Sequence, residues 1–346
     1  MERAAGSGCD GTTVSFRLPD PDQKHAAVRV LGGFLGDPAL VLDPVGRRWE
    51  LTIPRPAAAR IEYKLETTDR AGHVEIICDP GNPLRAPGGF GDSSELRCPG
   101  YRAPDWLDLP PAPGDWHDLT LPTPRLRTDL TARIWSPATS TNRILVAHDG
   151  PDYDRYGELG KYAAASIAAG RVPPFHLVLL PAGDRFEWYS CSPTYARALG
   201  RDILPKLLAE LGASAPVVGA GASLGALAML YAHRRLPGRF AGLFLQSGSF
   251  FQPRLDAQEA GFSRFPRIVR FVSRVRHGVA RDPLPVALTC GSVEENLANN
   301  RSMADALRSS GYPVTFAENP DAHTWIGWRD TFDPHLTHLL QRVWAD

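Results

Sequence analysis

Residues 215–227 read APVVGAGASLGAL, and this run decides the fold. Pro216-Val217-Val218-Gly219 has the character of a buried strand's end, and residues 226–235 are helix-prone. Between them, Gly221-Ala222-Ser223-Leu224-Gly225 is a G-x-S-x-G sequence. Strand, G-x-S-x-G and helix in that order form a nucleophile elbow. Such a turn strains its backbone and leaves no room for bulk beside the serine, which glycine at 221 and 225 removes. It lifts the Ser223 hydroxyl above the sheet, and the new helix aims its unpaired N–H groups at the same place. G-x-S-x-G by itself is a common small-residue turn. Its position between a strand and a helix gives it chemical meaning.

Outward from the elbow, strand and helix alternate. Strand-like runs occupy residues 130–135, 143–147, 176–180, 241–246, 286–290 and 314–318, with helices over 194–211, 296–310 and 331–344. Short apolar runs joined by helices predict a mostly parallel sheet covered on both faces. Its site then belongs to the loops at the strands' carboxyl ends. Upstream, residues 13–18, 27–31, 48–53, 60–65 and 74–78 alternate apolar with polar at period two, separated by turn residues. This predicts an all-β sandwich. Residues 99–116, PGYRAPDWLDLPPAPGDW, are dense in proline and aromatics and read as a semi-rigid linker pinned by Tyr101, Trp106 and Trp116. The predicted architecture is α/β: an α/β-hydrolase catalytic domain over residues 117–346, preceded by an N-terminal β-sandwich of immunoglobulin-like type over 1–98 and the linker 99–116.

The chain has 346 residues, 43% of them apolar, with 38 basic and 38 acidic side chains. A formal charge of zero gives no support to a nucleic-acid partner. No run of 18 apolar residues is present, so no membrane span is expected. The first residues, MERAAGSGCDG, lack the apolar core of an export signal, which makes the cytoplasm the expected compartment. Cys9, Cys78, Cys98, Cys191 and Cys290 show no C-x-x-C and no zinc spacing. Free thiols are expected, with Cys78–Cys98 as the alternative pair. His335-x-x-His338 lacks the glutamate of a zinc-protease pattern and reads as packing, so no metal is expected.

A serine hydroxyl needs a base, and the base needs an orienting group. In α/β hydrolases these follow the serine in the order acid, then histidine. His323 lies in the loop Asn319-Pro320-Asp321-Ala322-His323-Thr324-Trp325 after the last strand, where the base belongs. His233, His277, His335 and His338 lie on helices or outside strand context. The acid should follow residues 286–290, where Glu294 and Glu295 compete; Glu294 is favoured, and Asp321 suits loop shaping. The oxyanion hole needs two backbone N–H groups. One is that of Leu224. The other is Gly150 or Asp152 in His148-Asp149-Gly150-Pro151-Asp152-Tyr153, since Pro151 has none. His148 reads as structural or substrate-facing.

These pieces together resemble the enterochelin (enterobactin) esterase family of the esterase-D-like α/β hydrolases. The matching stretches are His148-Asp149-Gly150, residues 185–189 with Asp202-Ile203-Leu204-Pro205, residues 219–225, Gln246-Ser247-Gly248-Ser249-Phe250-Phe251, Gly291 to Glu294, and Ala322-His323-Thr324-Trp325. In the first domain, residues 13–18, Trp49, Tyr63, Asp79-Pro80 and Asn82-Pro83 also fit. The resemblance implies a cytoplasmic serine carboxylesterase with Ser223 as nucleophile, His323 as base and Glu294 as acid. It would act through an acyl-enzyme on a small-molecule ester such as a ferric siderophore, without metal or organic cofactor. Arg185 matches an arginine near the substrate in that family, with an Arg185–Glu187 brace as the alternative; Tyr153 and Trp325 are further substrate-binding candidates. The N-terminal sandwich is expected to narrow substrate choice. Two other readings stay open: an acyl hydrolase or transferase on acylated sugars or lipids, related to mycolyltransferases, and a binding module without chemistry.

Overall fold

The computed structural model describes residues 6–213, 216–279 and 282–345; Ala215, which opens the run quoted above, and the first five residues lie outside the described residues. The chain divides into two compact units. The first holds the residues through Arg102 together with Gly291–Glu295 and Pro320–Gly327. The second holds Ala103–Cys290, Asn296–Asn319 and the chain from Trp328 onward.

The first unit is built from β1 (Gly8–Cys9), β2 (Thr13–Pro19), β3 (His25–Leu31), β4 (Val41–Asp43), β5 (Arg48–Pro54), β6 (Arg60–Asp69), β7 (Val74–Ile77), β8 (Arg85–Ala86) and β9 (Ser93–Arg97). They form one sheet in the order β1-β2-β5-β4 and another in the order β3-β6-β9-β8, with β7 paired to β6. Period-two alternation sends Val14, Phe16 and Leu18 of β2 to the same core as Val28 and Val30 of β3 and Ile61, Tyr63 and Leu65 of β6. The expected all-β N-terminal region is therefore present. Val293, from the distant segment Gly291–Glu295, packs on this core as well.

The cysteine expectation is corrected. Cys9 and Cys98 form a disulfide with Cα atoms 5.0 Å apart, while Cys78, Cys191 and Cys290 are free thiols. Their sequence separation of 89 carries no spacing signal. Cys9 ends β1 in one sheet and Cys98 directly follows β9 in the other, so packing of the two sheets on their shared core, and not strand pairing, brings Cys9 and Cys98 together. Closing a loop of this length restricts the unfolded chain by an upper bound of about 4–5 kcal/mol. Reduction, or Cys98→Ser, should lower the urea midpoint of unfolding toward that limit. A midpoint unmoved by reduction would count against the crosslink.

The second unit carries β10 (Gly114–Thr123), β11 (Thr128–Pro137), β12 (Ile144–Ala147), β13 (His176–Leu179), β14 (Val217–Ala222), β15 (Phe240–Gln246), β16 (Val286–Gly291) and β17 (Val314–Asn319). The order across the sheet is β10-β11-β13-β12-β14-β15-β16-β17. From β13 through β16 neighbouring strands run parallel, and β10 and β11 form an antiparallel hairpin at one edge. Every residue of β12, β14 and β16 is buried, as strands covered on both faces require. This is the expected α/β domain.

The proline-rich stretch 99–116 is more structured than its composition indicates. A 3-10 turn at Asp105–Asp108 buries Trp106 completely, edge-on to Tyr162 and stacked with Phe332. By Gly114 the chain has entered β10, where Trp116 lies under the Arg133 guanidinium. Among the described residues no helix is long and apolar enough to cross a membrane.

Candidate active site

β14 ends at Ala222, and the helix Leu224–Arg235 begins two residues later. Ser223 between them has φ 55° and ψ −124°, a conformation that costs an L-residue about 1–3 kcal/mol and marks functional sites. The strain is held by backbone bonds: Ser223 N–H donates to Gln246 O at 2.9 Å, and Ser249 N–H donates to Ser223 O at 3.2 Å. A Cβ on Gly221 would lie 2.5 Å from the Gly225 carbonyl carbon and 2.9 Å from Ala226 N, so no side chain fits there. Gly225 serves a different neighbour. Its Cβ would crowd Asp149 Oδ2 at 3.2 Å and the His148 Cβ at 3.3 Å, so its smallness admits the segment after β12.

The Ser223 Oγ lies 3.2 Å from the Ser249 Oγ. Ser249 follows β15 within the matching stretch Gln246 to Phe251, but no motif spacing to the elbow gives it a role in the sequence. Leu224 opens the helix, where the first N–H groups lack intrahelical acceptors and can face a developing oxyanion.

The acid and base expected from chain order are found together in the first unit. The His323 Nδ1 and the Glu294 Oε2 are 2.8 Å apart. The other Glu294 oxygen accepts the Gly291 N–H at 2.8 Å, so both carboxylate oxygens have donors. The Glu294 side chain is 1% exposed and that of His323 is 42% exposed. Glu295, the competing carboxylate, is exposed to solvent. A Cβ on Gly291 would lie 2.2 Å from the Asp321 carbonyl oxygen, which lets the two loops approach closely.

The His323 loop is anchored by a residue that sequence reasoning missed. Arg60, fully buried at the start of β6, donates through Nε to Asp321 Oδ2 at 3.1 Å and through Nη2 to Asp321 Oδ1 at 3.3 Å and Thr324 Oγ1 at 2.8 Å. Glu62 at 2.7 Å and Glu95 at 3.7 Å complete its charge environment. Burial works against the guanidinium's charge, but Asp321, Glu62 and Glu95 outweigh it and raise its pKa above the ordinary value. The Ala59 N–H to Pro320 O bond, 2.7 Å, ties the loop down on its other side. The sandwich thus holds the His323 loop in place. Arg60→Met leaves buried carboxylates without their cation and should cost about 3–5 kcal/mol. Urea denaturation checks this, and a loss under about 1 kcal/mol would refute the anchoring role.

Several expected site residues sit elsewhere. Tyr153 is corrected from substrate contact to core: it is 1% exposed, and its hydroxyl donates to Gln246 Oε1 at 2.7 Å. The chain after Asp149 forms the helix Gly150–Gly157, which turns Tyr153 inward. Both candidates for the second oxyanion donor are engaged, Gly150 N–H with Leu180 O at 2.9 Å and Asp152 N–H with Asp149 O at 3.0 Å, so neither is offered to a ligand as it stands. Arg185 grips Asp149 with three bonds of 2.9–3.1 Å, while Glu187 pairs with Arg264 and Arg267. The Arg185–Glu187 brace is replaced by an Arg185–Asp149 brace beneath the elbow, because Asp149 is 4% exposed and adjoins Gly225. His148 is structural. Its Nδ1 donates to Gly225 O at 3.1 Å and its Nε2 accepts from the Tyr195 hydroxyl at 2.9 Å. Burial lowers its pKa to about 4, so the ring is neutral at pH 7. Trp325 is half-buried and opens the short helix Trp325–Arg329 directly after the His323 loop.

A cavity of about 790 Å³ adjoins Glu294 and His323 within the first unit, walled by Leu31, Phe34 and Tyr63. Asp37, Glu62, Lys64 and Glu295 also line it.

Residues 123–339 match the model of the Esterase family, described as "Putative esterase". The chain belongs to this family. Among curated proteins, the esterase is 28% identical over 224 residues to the iron(III) enterobactin esterase of Dickeya dadantii, covering 58% of this chain and half of that one. It is 26% identical over 287 residues to the iron(III) enterobactin esterase of Escherichia coli strain CFT073, covering 79% of this chain and 69% of that one. Among solved structures, the enterobactin esterase of Shigella flexneri superposes with a TM-score of 0.77 at 21% identity, covering 97% of this chain and 95% of the other. The family likeness read from the sequence motifs is borne out, and the two-part layout is shared with that structure.

Proposed function

We propose that this esterase is a serine carboxylesterase working through an acyl-enzyme, with Ser223 as nucleophile, His323 as base and Glu294 as orienting acid. The observation that carries the reading is the backbone of Ser223, strained on a glycine-cleared turn at a helix N-terminus. Chain order supplies the partners. Ser223 follows β14, Glu294 follows β16 and His323 follows β17, and these strands belong to one sheet. With Nδ1 held by Glu294, the Nε2 of His323 is the nitrogen that takes the serine proton and returns it to the leaving alcohol. Leu224 N–H stabilises the oxyanion. Water then attacks the acyl-enzyme with His323 again as base.

The relatives' named substrate points to esters of catecholate siderophores. The cavity beside His323 brings Lys64 together with Asp37, Glu62 and Glu295, and shows no excess of cations among its described residues. A ferric tris-catecholate is multiply negative, so this lining favours the uncharged, iron-free lactone. A fluorophosphonate probe tests the nucleophile: labelling of wild type and not of Ser223→Ala supports the assignment, and no labelling of either favours a binding module. Hydrolysis of the iron-free lactone, its ferric form, an acyl-trehalose and p-nitrophenyl esters then ranks the substrate classes. Preference for acyl-trehalose would move the assignment to acylated sugars.

A further inference from the structure

The second unit holds a pocket of about 630 Å³ whose walls include Arg234, Arg235, Arg267, Arg270 and Arg274, with Asp282 as the one carboxylate among the described lining. Arg267, Arg270 and Arg274 are spaced i, i+3, i+7 along the helix Phe265–Arg276 and so share one face. Arg234 and Arg235 close the helix Leu224–Arg235. Arg267 is committed to Glu187 and the Ser190 carbonyl. Among the described residues, Arg234, Arg235, Arg270 and Arg274 have no carboxylate within ion-pair distance. Asp282 is itself occupied, its Oδ2 accepting the Gly238 N–H at 2.7 Å. His233, in the same wall, adds no charge, since burial lowers its pKa to about 4.

Helix dipoles do not balance this charge. Two helix C-termini each present roughly half a negative charge, against five guanidinium groups. In a chain of zero formal charge, such clustering is a local choice rather than a general basic character. Tyr231, Phe271 and Tyr312 give the pocket apolar walls, and its volume suits a small ligand. We propose that this pocket binds a compact, multiply charged phosphate compound, namely a diphosphate, free or as part of a nucleoside diphosphate. Guanidinium forks match phosphoryl oxygens in pairs, and several within one cavity reward a ligand with several charges in a small volume. The site is separate from the nucleophile: Ser223 caps the N-terminus of the 12-residue helix that ends at Arg235, roughly 18 Å away along its axis.

Calorimetric titration of the full chain with inorganic pyrophosphate, ADP and citrate near physiological salt tests this, using Arg270→Gln/Arg274→Gln against a control Arg55→Gln/Arg102→Gln. The four exposed or half-buried arginines should tolerate the change, and matched thermal midpoints verify folding. Saturable binding of pyrophosphate or ADP, weakened at least tenfold in the pocket variant and unchanged in the control, is the expected result. Tighter binding of ADP than pyrophosphate would identify the nucleoside form; the reverse would identify free diphosphate. Turnover of a p-nitrophenyl ester should be the same in all three proteins, whatever the fate of the Ser223 assignment. Absence of saturable binding, equal affinity in the pocket variant, or citrate binding as tightly as the phosphates would overturn the proposal.

Discussion

Ser223→Ala is expected to lower kcat/KM on a p-nitrophenyl ester by at least ~10⁴-fold, since loss of a serine nucleophile removes the covalent route and leaves only what the oxyanion donors and binding supply. The fold should survive. The Ser223 hydroxyl meets the Ser249 hydroxyl at 3.2 Å, and the backbone bonds to Gln246 and from Ser249 do not involve the side chain. Ser223→Gly sharpens the test. It removes the Cβ from a position at φ 55°, so it should be as inactive as the alanine variant yet more stable by about 1 kcal/mol. Opposite movements of activity and stability distinguish a strained catalytic residue from a packing turn. Retention of activity within tenfold in Ser223→Ala would end the hydrolase assignment for this serine.

The second large effect is expected from Glu294→Gln, a change of one atom's chemistry with almost no change of shape. Both oxygens of Glu294 face donors: Oε1 accepts the Gly291 N–H and Oε2 faces the His323 Nδ1, each at 2.8 Å. A glutamine has one acceptor oxygen for these two donors. If its NH₂ faces Gly291, a buried donor meets a donor. If its NH₂ faces His323, the imidazole must accept at Nδ1 and carry its proton on Nε2, the wrong tautomer for a base. With Glu294 as the proposed acid, kcat should fall about 10⁴-fold with a nearly unchanged KM, the loss expected when an acid that fixes a catalytic histidine is replaced by its amide. The unsatisfied buried donor adds a stability loss of about 1–3 kcal/mol. Glu295→Gln, at an exposed position, should leave both quantities unchanged. Equal effects at 294 and 295 would show that the loop matters only in bulk.

Local signals carried much of the architecture. Alternation over 13–18 and 60–65 marked strands half-buried in a sandwich, and the unbroken apolar runs at 144–147 and 217–222 marked strands buried on both faces. The helices Gly150–Gly157 and Phe265–Arg276 were not legible. The first opens on Gly-Pro, which reads as a turn, and the second is rich in arginine, which reads as a solvated surface. Missing the first helix is what misplaced Tyr153, because loop and helix send that ring to opposite sides. Trp106 shows the same limit, since proline density hid a residue fully buried among aromatic rings.

By itself, the sequence determined which strands alternate, where glycine clears the turn at Ser223, and which loops carry His323 and Glu294, because each of these depends on neighbours a few residues away. Only the tertiary structure decided that Glu294 rather than Glu295 faces the histidine, that Cys9 joins Cys98, that Asp149 occupies the Arg185 fork, and that Arg60 anchors the loop at Asp321 from 261 residues away. The reason is physical. Periodicity and turn chemistry are short-range properties of the backbone, whereas the pairing of buried charges and thiols is set by which surfaces packing brings together, and no spacing along the chain encodes that meeting.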